Sequence, residues 1–381
     1  MQYIDDYRNN DRIQTLVQAI KKETVHTWQI MEICGGQTHT IARFRIEEML
    51  PDSMCMLHGP GCPVCVTPES TIDLALKIAA LPNVIFTSFG DMMRVPGSKT
   101  DLLQTKAQGA DVRMLYSPLD AVTLAVNHPE KEVVFFAVGF ETTAPVYLMA
   151  LKEAERRKIK NFSLLCSLFA VPPAIEMILS QEDNHVDGFL TAGHVCAVTG
   201  NEAYEQLAVK YNRPMIVTGF EPADILFGIY KCVWQLERGI ARLENAYKRA
   251  VSEKGNPVAR KIMDEVLEPA DREWRGIGHI PLSGFALREK YATFDAFKKF
   301  PSNVIARSVS DEANQKKEMD CLSKRTMKER RDSRCIAGEI MKGNRQVADC
   351  AYFGTVCNPN HPLGASMVSE EGVCAAYYNY Q

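Results

Sequence analysis

The sequence predicts an α/β fold with parallel sheets, and three features carry that prediction. Six short apolar runs recur as far as Pro222, each running into Gly, Pro or a tight polar segment. Helical stretches follow several of them, and strands alternating with helices form parallel βαβ units covered on both faces. The chain has 381 residues, which suits two or three domains at roughly 100–200 residues each. Six units fit two similar small doubly wound, Rossmann-like domains better than one wide sheet.

Residues 11–24 show apolar side chains at helical spacing (Ile13, Leu16, Val17, Ile20). Residues 28–33 form the first apolar run, which stops at CGGQTH (34–39), and a helix is expected over the TIARFRIEEML that follows. The run 83–90 ends in Gly and leads into DMMRVPG, and 131–140 ends in ETTAP before the helical VYLMALKEAERRK. Residues 162–171 end at a double Pro before another helix, and 186–195 and 213–222 complete the series. An echo links Gly139-Phe140-Glu141-Thr142 to Gly219-Phe220-Glu221-Pro222, each after a strand. Residues 231–268 read as one amphipathic helix (Val233, Leu236, Ile240, Leu243, Ala246). Residues 307–334, with nine Lys/Arg and six Asp/Glu, are expected to be a solvated, mobile insertion. The last stretch, 335–381, reads as a loop-rich module organised by a metal centre. The expected divisions are therefore 1–113, 114–230 and 231–381.

Composition narrows the function. Net charge is −3, so nothing marks a nucleic-acid or anionic-membrane partner. No apolar stretch approaches the roughly 18 residues of a membrane span. The start, MQYIDDYRNN, is polar and acidic rather than secretory, so a cytoplasmic protein is expected. No G-x-G-x-x-G follows the first strand, which argues against a dinucleotide enzyme.

The twelve cysteines carry most of the chemistry. In a cytoplasmic chain, clustered cysteines point to metal or redox work rather than a static disulfide framework. Cys166, Cys196 and Cys232 lie in apolar contexts and read as small buried hydrophobes. Cys335-x14-Cys350-x6-Cys357-x16-Cys374 offers four thiolates for a [4Fe–4S] cluster or a zinc ion. The wide spacing lacks the close pairs of zinc ribbons and suits a cluster reached from several loops. Cys321 reads as an incidental thiol.

Near the N-terminus, GPGCPVC (59–65) sets Cys62 and Cys65 in a tight turn within disulfide reach, and such pairs exchange readily. The competing reading is half of a zinc site completed by Cys34 or Cys55. Cys34 directly follows a strand, where open α/β sheets bind ligands. Gly35 and Gly36 leave space beside it, and the helix N-terminus is expected to favour its thiolate. His39 is a candidate to accept a proton or orient a ligand, against a purely structural role.

CGGQTHTI, GPGCPVC, GFETTAP, TAGHV, TGFEP, the four-cysteine spacing and MVSEEGVCAAYY occur together and in order. In that combination the chain closely resembles the HypD family of [NiFe]-hydrogenase maturation factors over about residues 30–378, the basic 307–334 stretch being the departure. The resemblance implies two similar α/β domains and a third holding one [4Fe–4S] cluster. It also implies a redox-active assembly scaffold rather than a conventional turnover enzyme. On a complex with a HypC-type chaperone, an iron atom would receive two cyanides and one carbon monoxide. A HypE-type partner, supplied by HypF, would donate the cyanides, and the transient Fe(CN)2CO unit would pass toward the hydrogenase large subunit.

Carried across, Cys34 would ligate that iron beside a chaperone cysteine, and Cys62 and Cys65 would be the redox dithiol. Cys335, Cys350, Cys357 and Cys374 would hold the cluster. A soft thiolate suits iron with strong-field ligands, and electrons would run from cluster to dithiol to the Cys34 site. Glu141, Glu221 and His194, each at a strand end, are candidates for proton transfer or ligand polarisation, and His58 is a weaker one. The alternative functions are a [4Fe–4S]-dependent protein disulfide reductase, for which Cys34 would be superfluous, and a zinc-organised interaction protein.

Overall fold

The computed structural model describes residues 5–301 and 335–380. The expected insertion at 307–334, with Cys321, lies outside the described residues. The described residues form two sheets. The first runs β2 (Met54–His58), β1 (Trp28–Glu32), β7 (Gly188–Ala192), β8 (Met215–Thr218), β9 (Leu243–Asn245), and every pair in it is parallel. The second runs β10 (Leu267–Trp274), β11 (Gly278–Leu287), β6 (Phe162–Phe169), β5 (Glu132–Gly139), β3 (Val84–Ser88), β4 (Val112–Met114). Its four strands β4-β3-β5-β6 are parallel, while the β10–β11 hairpin joins β6 antiparallel. The fold is thus α/β with parallel, Rossmann-like sheets.

Alternation along the strands explains why the sheets pack as they do. Ile30, Met56, Leu190 and Ile216 face one side of the first sheet, where they meet Ile20, Ile225 and Val233 of flanking helices. Met31, Leu57, Phe189 and Met215 face the other side. In the second sheet Ile85, Val133 and Phe135 face a layer with Tyr147 and Leu148, while Phe86, Val134 and Phe136 face the opposite way. The inward faces of both sheets share one buried cluster, so a continuous core joins them.

Sheet membership does not follow the expected division at 113/114. Strand β1 pairs with β2 on one side and, on the other, with the distant β7, while β3 pairs with β4 and with β5 in the second sheet. Apolar runs mark strands, but which distant run supplies the neighbour is a tertiary choice that periodicity does not encode. The single helix expected over 231–268 is also replaced. A helix Pro222–Leu236 ends before Gly239, whose φ of +62° favours glycine, and β9 follows. A second helix, Pro257–Val266, starts under an Asn256 cap, and β10 begins at Leu267.

The described part of the 335–381 region packs Ile340, Val347, Met367 and Val373 around Cys357 and Cys374. Its last helix, Val373–Tyr380, lies against the helix Gly35–Arg43. No helix among the described residues is long and apolar enough to cross a membrane.

Candidate functional site

Parallel pairing of β1 and β2 sets Glu32 beside His58, so both strands release their chains at the same sheet edge. After Glu32 come Ile33 and Cys34, which is the N-cap of the helix Gly35–Arg43; the motif CGGQTH therefore opens the helix instead of preceding it. After His58 comes the Gly59–Gly61 turn. The two connections touch: Gly35 N–H donates to Gly61 C=O at 3.0 Å, and Gly59 N–H to Glu32 C=O at 2.8 Å. A Cβ on Gly61 would overlap the Cys34 backbone, and one on Gly35 would overlap Glu371. A Cβ on Gly36 would sit 3.3 Å from the Phe220 ring and 3.8 Å from Cys34 Sγ.

Cys62 and Cys65 are joined in a disulfide with Cα atoms 5.3 Å apart, and both are buried. Cys62 is the N-cap of a one-turn helix, and its Sγ accepts the Cys65 N–H at 3.1 Å. A small cleft beside this pair is lined by Gly35, Gly61, Cys62, Cys65, Ser366 and Glu371.

His194, in the first turn of the helix Gly193–Thr199 that follows β7, lies with Nε2 3.7 Å and Nδ1 3.8 Å from Cys34 Sγ. It stacks on Phe220, the ring of the GFEP loop, at 4.9 Å between centroids. Burial pushes its imidazole down to about 4, so it is neutral near pH 7. The Cys34 thiol moves the opposite way from the expected thiolate. Burial raises it strongly, Glu371 and Glu32 add to the effect, and the N–H groups of Gly36 and Gln37 offset only part. A helix end worth at most about 2 kcal/mol does not outweigh full desolvation plus two nearby carboxylates. Without a metal, Cys34 is therefore a protonated thiol.

Glu32 is fully buried and organises the loop: it accepts Cys34 N–H at 2.7 Å, the Thr38 hydroxyl, and His58 Nδ1 at 2.8 Å. His58 Nε2 reaches Tyr377 OH at 2.7 Å. Burial works against the His58 charge, but hydrogen bonds to Glu32 and Glu47 prevail and raise it to about 9.

The other expected residues divide. His39 turns away from Cys34 and bonds Tyr380 OH at 2.9 Å on the last helix. Helical geometry explains this, because five residues along a helix from the N-cap the side chain faces another direction. Glu221 is ion-paired with Arg8 and caps the helix Pro222–Leu236, which gives it a structural role rather than a place beside Cys34. Glu141 is buried, with Oε1 accepting Val171 N–H at 2.9 Å and Oε2 without a partner among the described residues. Burial raises its carboxyl to about 7. Both it and Cys34 lie within electrostatic reach of the buried Tyr204 hydroxyl, which places the two in one region.

Cys335, Cys350 and Cys357 lie close enough to Cys374 to act on its thiol. Burial pushes Cys374 up, and Cys335, Cys357 and Cys350 push it further. Leu363 N–H donates to Cys357 Sγ at 3.4 Å, and a Cβ on Gly364 would overlap Cys335 Sγ. Among the described residues no three His, Cys, Asp or Glu side chains close around a single-ion position. Four neighbouring cysteine sulfurs in an apolar shell, with an N–H donor to one of them, are the donor set that a thiolate-bound metal group needs.

Glu32, Thr38, Phe220, Glu371 and Tyr377 escaped sequence reasoning as site residues. Glu371 and Tyr377 stand inside MVSEEGVCAAYY, but no spacing rule ties that segment to Cys34.

The family model HypD, described as "Hydrogenase formation hypA family", matches residues 11–381. The hydrogenase maturation factor HypD of Escherichia coli (strain K12) is 40% identical over 389 residues, covering 100% of this chain and 98% of that protein. That of Rhodobacter capsulatus is 42% identical over 371 residues, covering 97% and 93%. That of Rhizobium leguminosarum bv. viciae is 40% identical over 390 residues, covering 100% and 96%. With a match of this extent and identity, the chain belongs to the HypD family of hydrogenase maturation factors.

Proposed function

We propose that this chain is a cytoplasmic scaffold on which an Fe(CN)2CO unit is assembled together with a HypC-type chaperone, for transfer toward a hydrogenase large subunit. A HypE-type carrier, charged by HypF, brings the cyanides. The observation that carries this reading is the position of Cys34. Its thiol stands 3.7 Å from a neutral imidazole, and its backbone packs on Gly61, the residue before the Cys62–Cys65 disulfide. Fe(CN)2CO is cargo, and Cys34 is its thiolate ligand on this chain.

The physical chemistry fits a receiving site. A thiol held protonated by burial is released when a soft cation displaces the proton, so metal arrival and thiolate formation are one event. Neutral His194 is within hydrogen-bonding reach of the sulfur and orients it. Gly35 and Gly36 let Glu371 and the Phe220 ring close in beside the thiol. Opening the Cys62–Cys65 disulfide takes up two electrons and two protons and yields two thiols; closing it returns them. Cys335, Cys350, Cys357 and Cys374 fit as ligands of a [4Fe–4S] cluster, which when bound supplies electrons singly.

The test is anaerobic purification of the chaperone complex, with infrared spectra and iron and sulfide analysis. Wild type should show cyanide and carbonyl stretches plus about four iron and four sulfide per chain for the cluster. Cys34→Ser should lose the stretches and keep the sulfide; stretches that persist would overturn the assignment. The buried disulfide also favours a second reading, a [4Fe–4S]-dependent protein disulfide reductase. That reading gains if Cys34→Ser retains full disulfide-reducing activity.

A further inference from the structure

Two tyrosines tie the last helix, Val373–Tyr380, to the Cys34 loop, but only one tie is continuous with Cys34. From Cys34 N–H the chain of hydrogen bonds runs to Glu32 at 2.7 Å, from Glu32 to His58 at 2.8 Å, and from His58 to Tyr377 OH at 2.7 Å. The hydroxyl then donates to Glu47. Glu32 is 0% exposed and His58 6%, so water cannot replace a lost partner. Tyr377 lies three residues beyond Cys374, on the same face of the same helix. The second tie, Tyr380 OH to His39 at 2.9 Å, ends on the helix Gly35–Arg43, one residue beyond Thr38, and reaches Glu32 through no side-chain hydrogen bond of His39 itself.

We propose that Glu32, His58 and Tyr377 are positioning residues that couple the presentation of Cys34 to the seating of the Cys374-bearing helix. The functional meaning of this coupling rests on Cys34 as iron ligand and Cys374 as cluster ligand; the coupling itself is a property of the chain.

The links Cys34–Glu32 and Glu32–His58 are buried and the link His58–Tyr377 is partly so, and leaving a buried donor or acceptor unpaired is far more unfavourable than the bond's net worth suggests. If the last helix shifts, Tyr377 leaves His58, the imidazole swings toward Glu47, whose Oε1 stands 3.7 Å from its Nε2, and its bond to Glu32 is pulled out of line. The carboxylate then no longer fixes Cys34 N–H, and the thiol loses its place opposite His194. Seating of the cysteine module thereby sets whether Cys34 is ready to receive its cargo. A row of contacts alone does not establish coupling, so the test measures it.

The readout is hydrogen exchange at the Cys34 amide in the full-length chain, compared among single and double variants. Tyr377→Phe and His58→Phe keep their rings and remove the polar atoms. Each should speed Cys34 exchange by at least about fivefold, the effect expected for one buried hydrogen bond. The double variant should exchange no faster than the quicker single, because both break one chain. Tyr380→Phe removes the other tie and should leave Cys34 within about twofold of wild type, while amides of β8 stay protected in all.

Equal acceleration by Tyr380→Phe would show mere helix docking and overturn the proposal, as would additive effects or an unchanged His58→Phe. Should Tyr377→Phe fail to fold, His58→Phe and Tyr380→Phe decide the matter. Infrared spectra of the wild-type chaperone complex keep the two readings apart. Missing cyanide and carbonyl bands would defeat the iron-assembly function and leave the exchange pattern to judge the coupling.

Discussion

Glu141 and His194 sit in the same buried region and place opposite pH slopes on stability. Glu141 has its carboxyl raised from 4.5 to about 7 by burial. Its contribution is fully present below the unfolded value and is lost as pH rises through 7, because the unfolded chain ionises more easily. Glu141→Gln removes that loss, so the variant should gain about 2 kcal/mol on wild type between about pH 5 and pH 8. His194 is lowered from 6.5 to about 4, again by burial. Its contribution is present above 6.5 and is lost as pH falls through 4, since only the unfolded chain takes up the proton. In the metal-free protein His194→Gln should therefore gain about 2 kcal/mol on wild type between about pH 8 and pH 5. Urea titrations of both variants at the two pH values check the signs; parallel shifts of both variants would show that burial does not set these charges.

At the scale of elements, the two strand-to-helix connections fit together through glycine. GPGCPVC is legible in the sequence as a turn that brings two sulfurs together, and the structure joins them. Why Gly61 must be glycine is not legible, because the obstacle is the Cys34 backbone, 27 positions earlier and in another connection. Gly61→Ala forces backbone against backbone, with no flexible side chain to yield. It should lower stability by about 2 kcal/mol or more, a core-strain effect. It should also separate Cys34 from the disulfide loop. A thermal melt together with the rate at which reduced Cys62 and Cys65 reoxidise would show both; an unchanged melt would mean that the loops slide apart freely. Glu32 illustrates the same limit, since a carboxylate ending an apolar strand reads as a polar boundary. Its full burial becomes visible only once β2 and the last helix bring His58 and Tyr377 beside it.

At the scale of the molecule, the six apolar runs made the strands legible, and their near-continuous apolar character marked sheets buried on both faces. The interleaving of the chain between sheets was not legible, because a parallel partner can be chosen from any distant run. That interleaving has a direct consequence for folding. Residues 1–113 contain β1 and β2 from one sheet and β3 and all but the last residue of β4 from the other. In that fragment β1 lacks β7, β3 lacks β5, and the inward faces lose Phe136, Phe169, Phe189 and Trp274 from their shared core. Two separate two-stranded remnants cannot bury their apolar faces, and isolated strand pairs are marginal in water. Fragment 1–113 should therefore show no cooperative urea transition and no dispersed amide spectrum, whereas the full chain should unfold cooperatively. A folded, monomeric 1–113 fragment would mean that each half supplies its own core. The continuous cluster between the sheets would then be a docking interface instead of the centre from which the site is built.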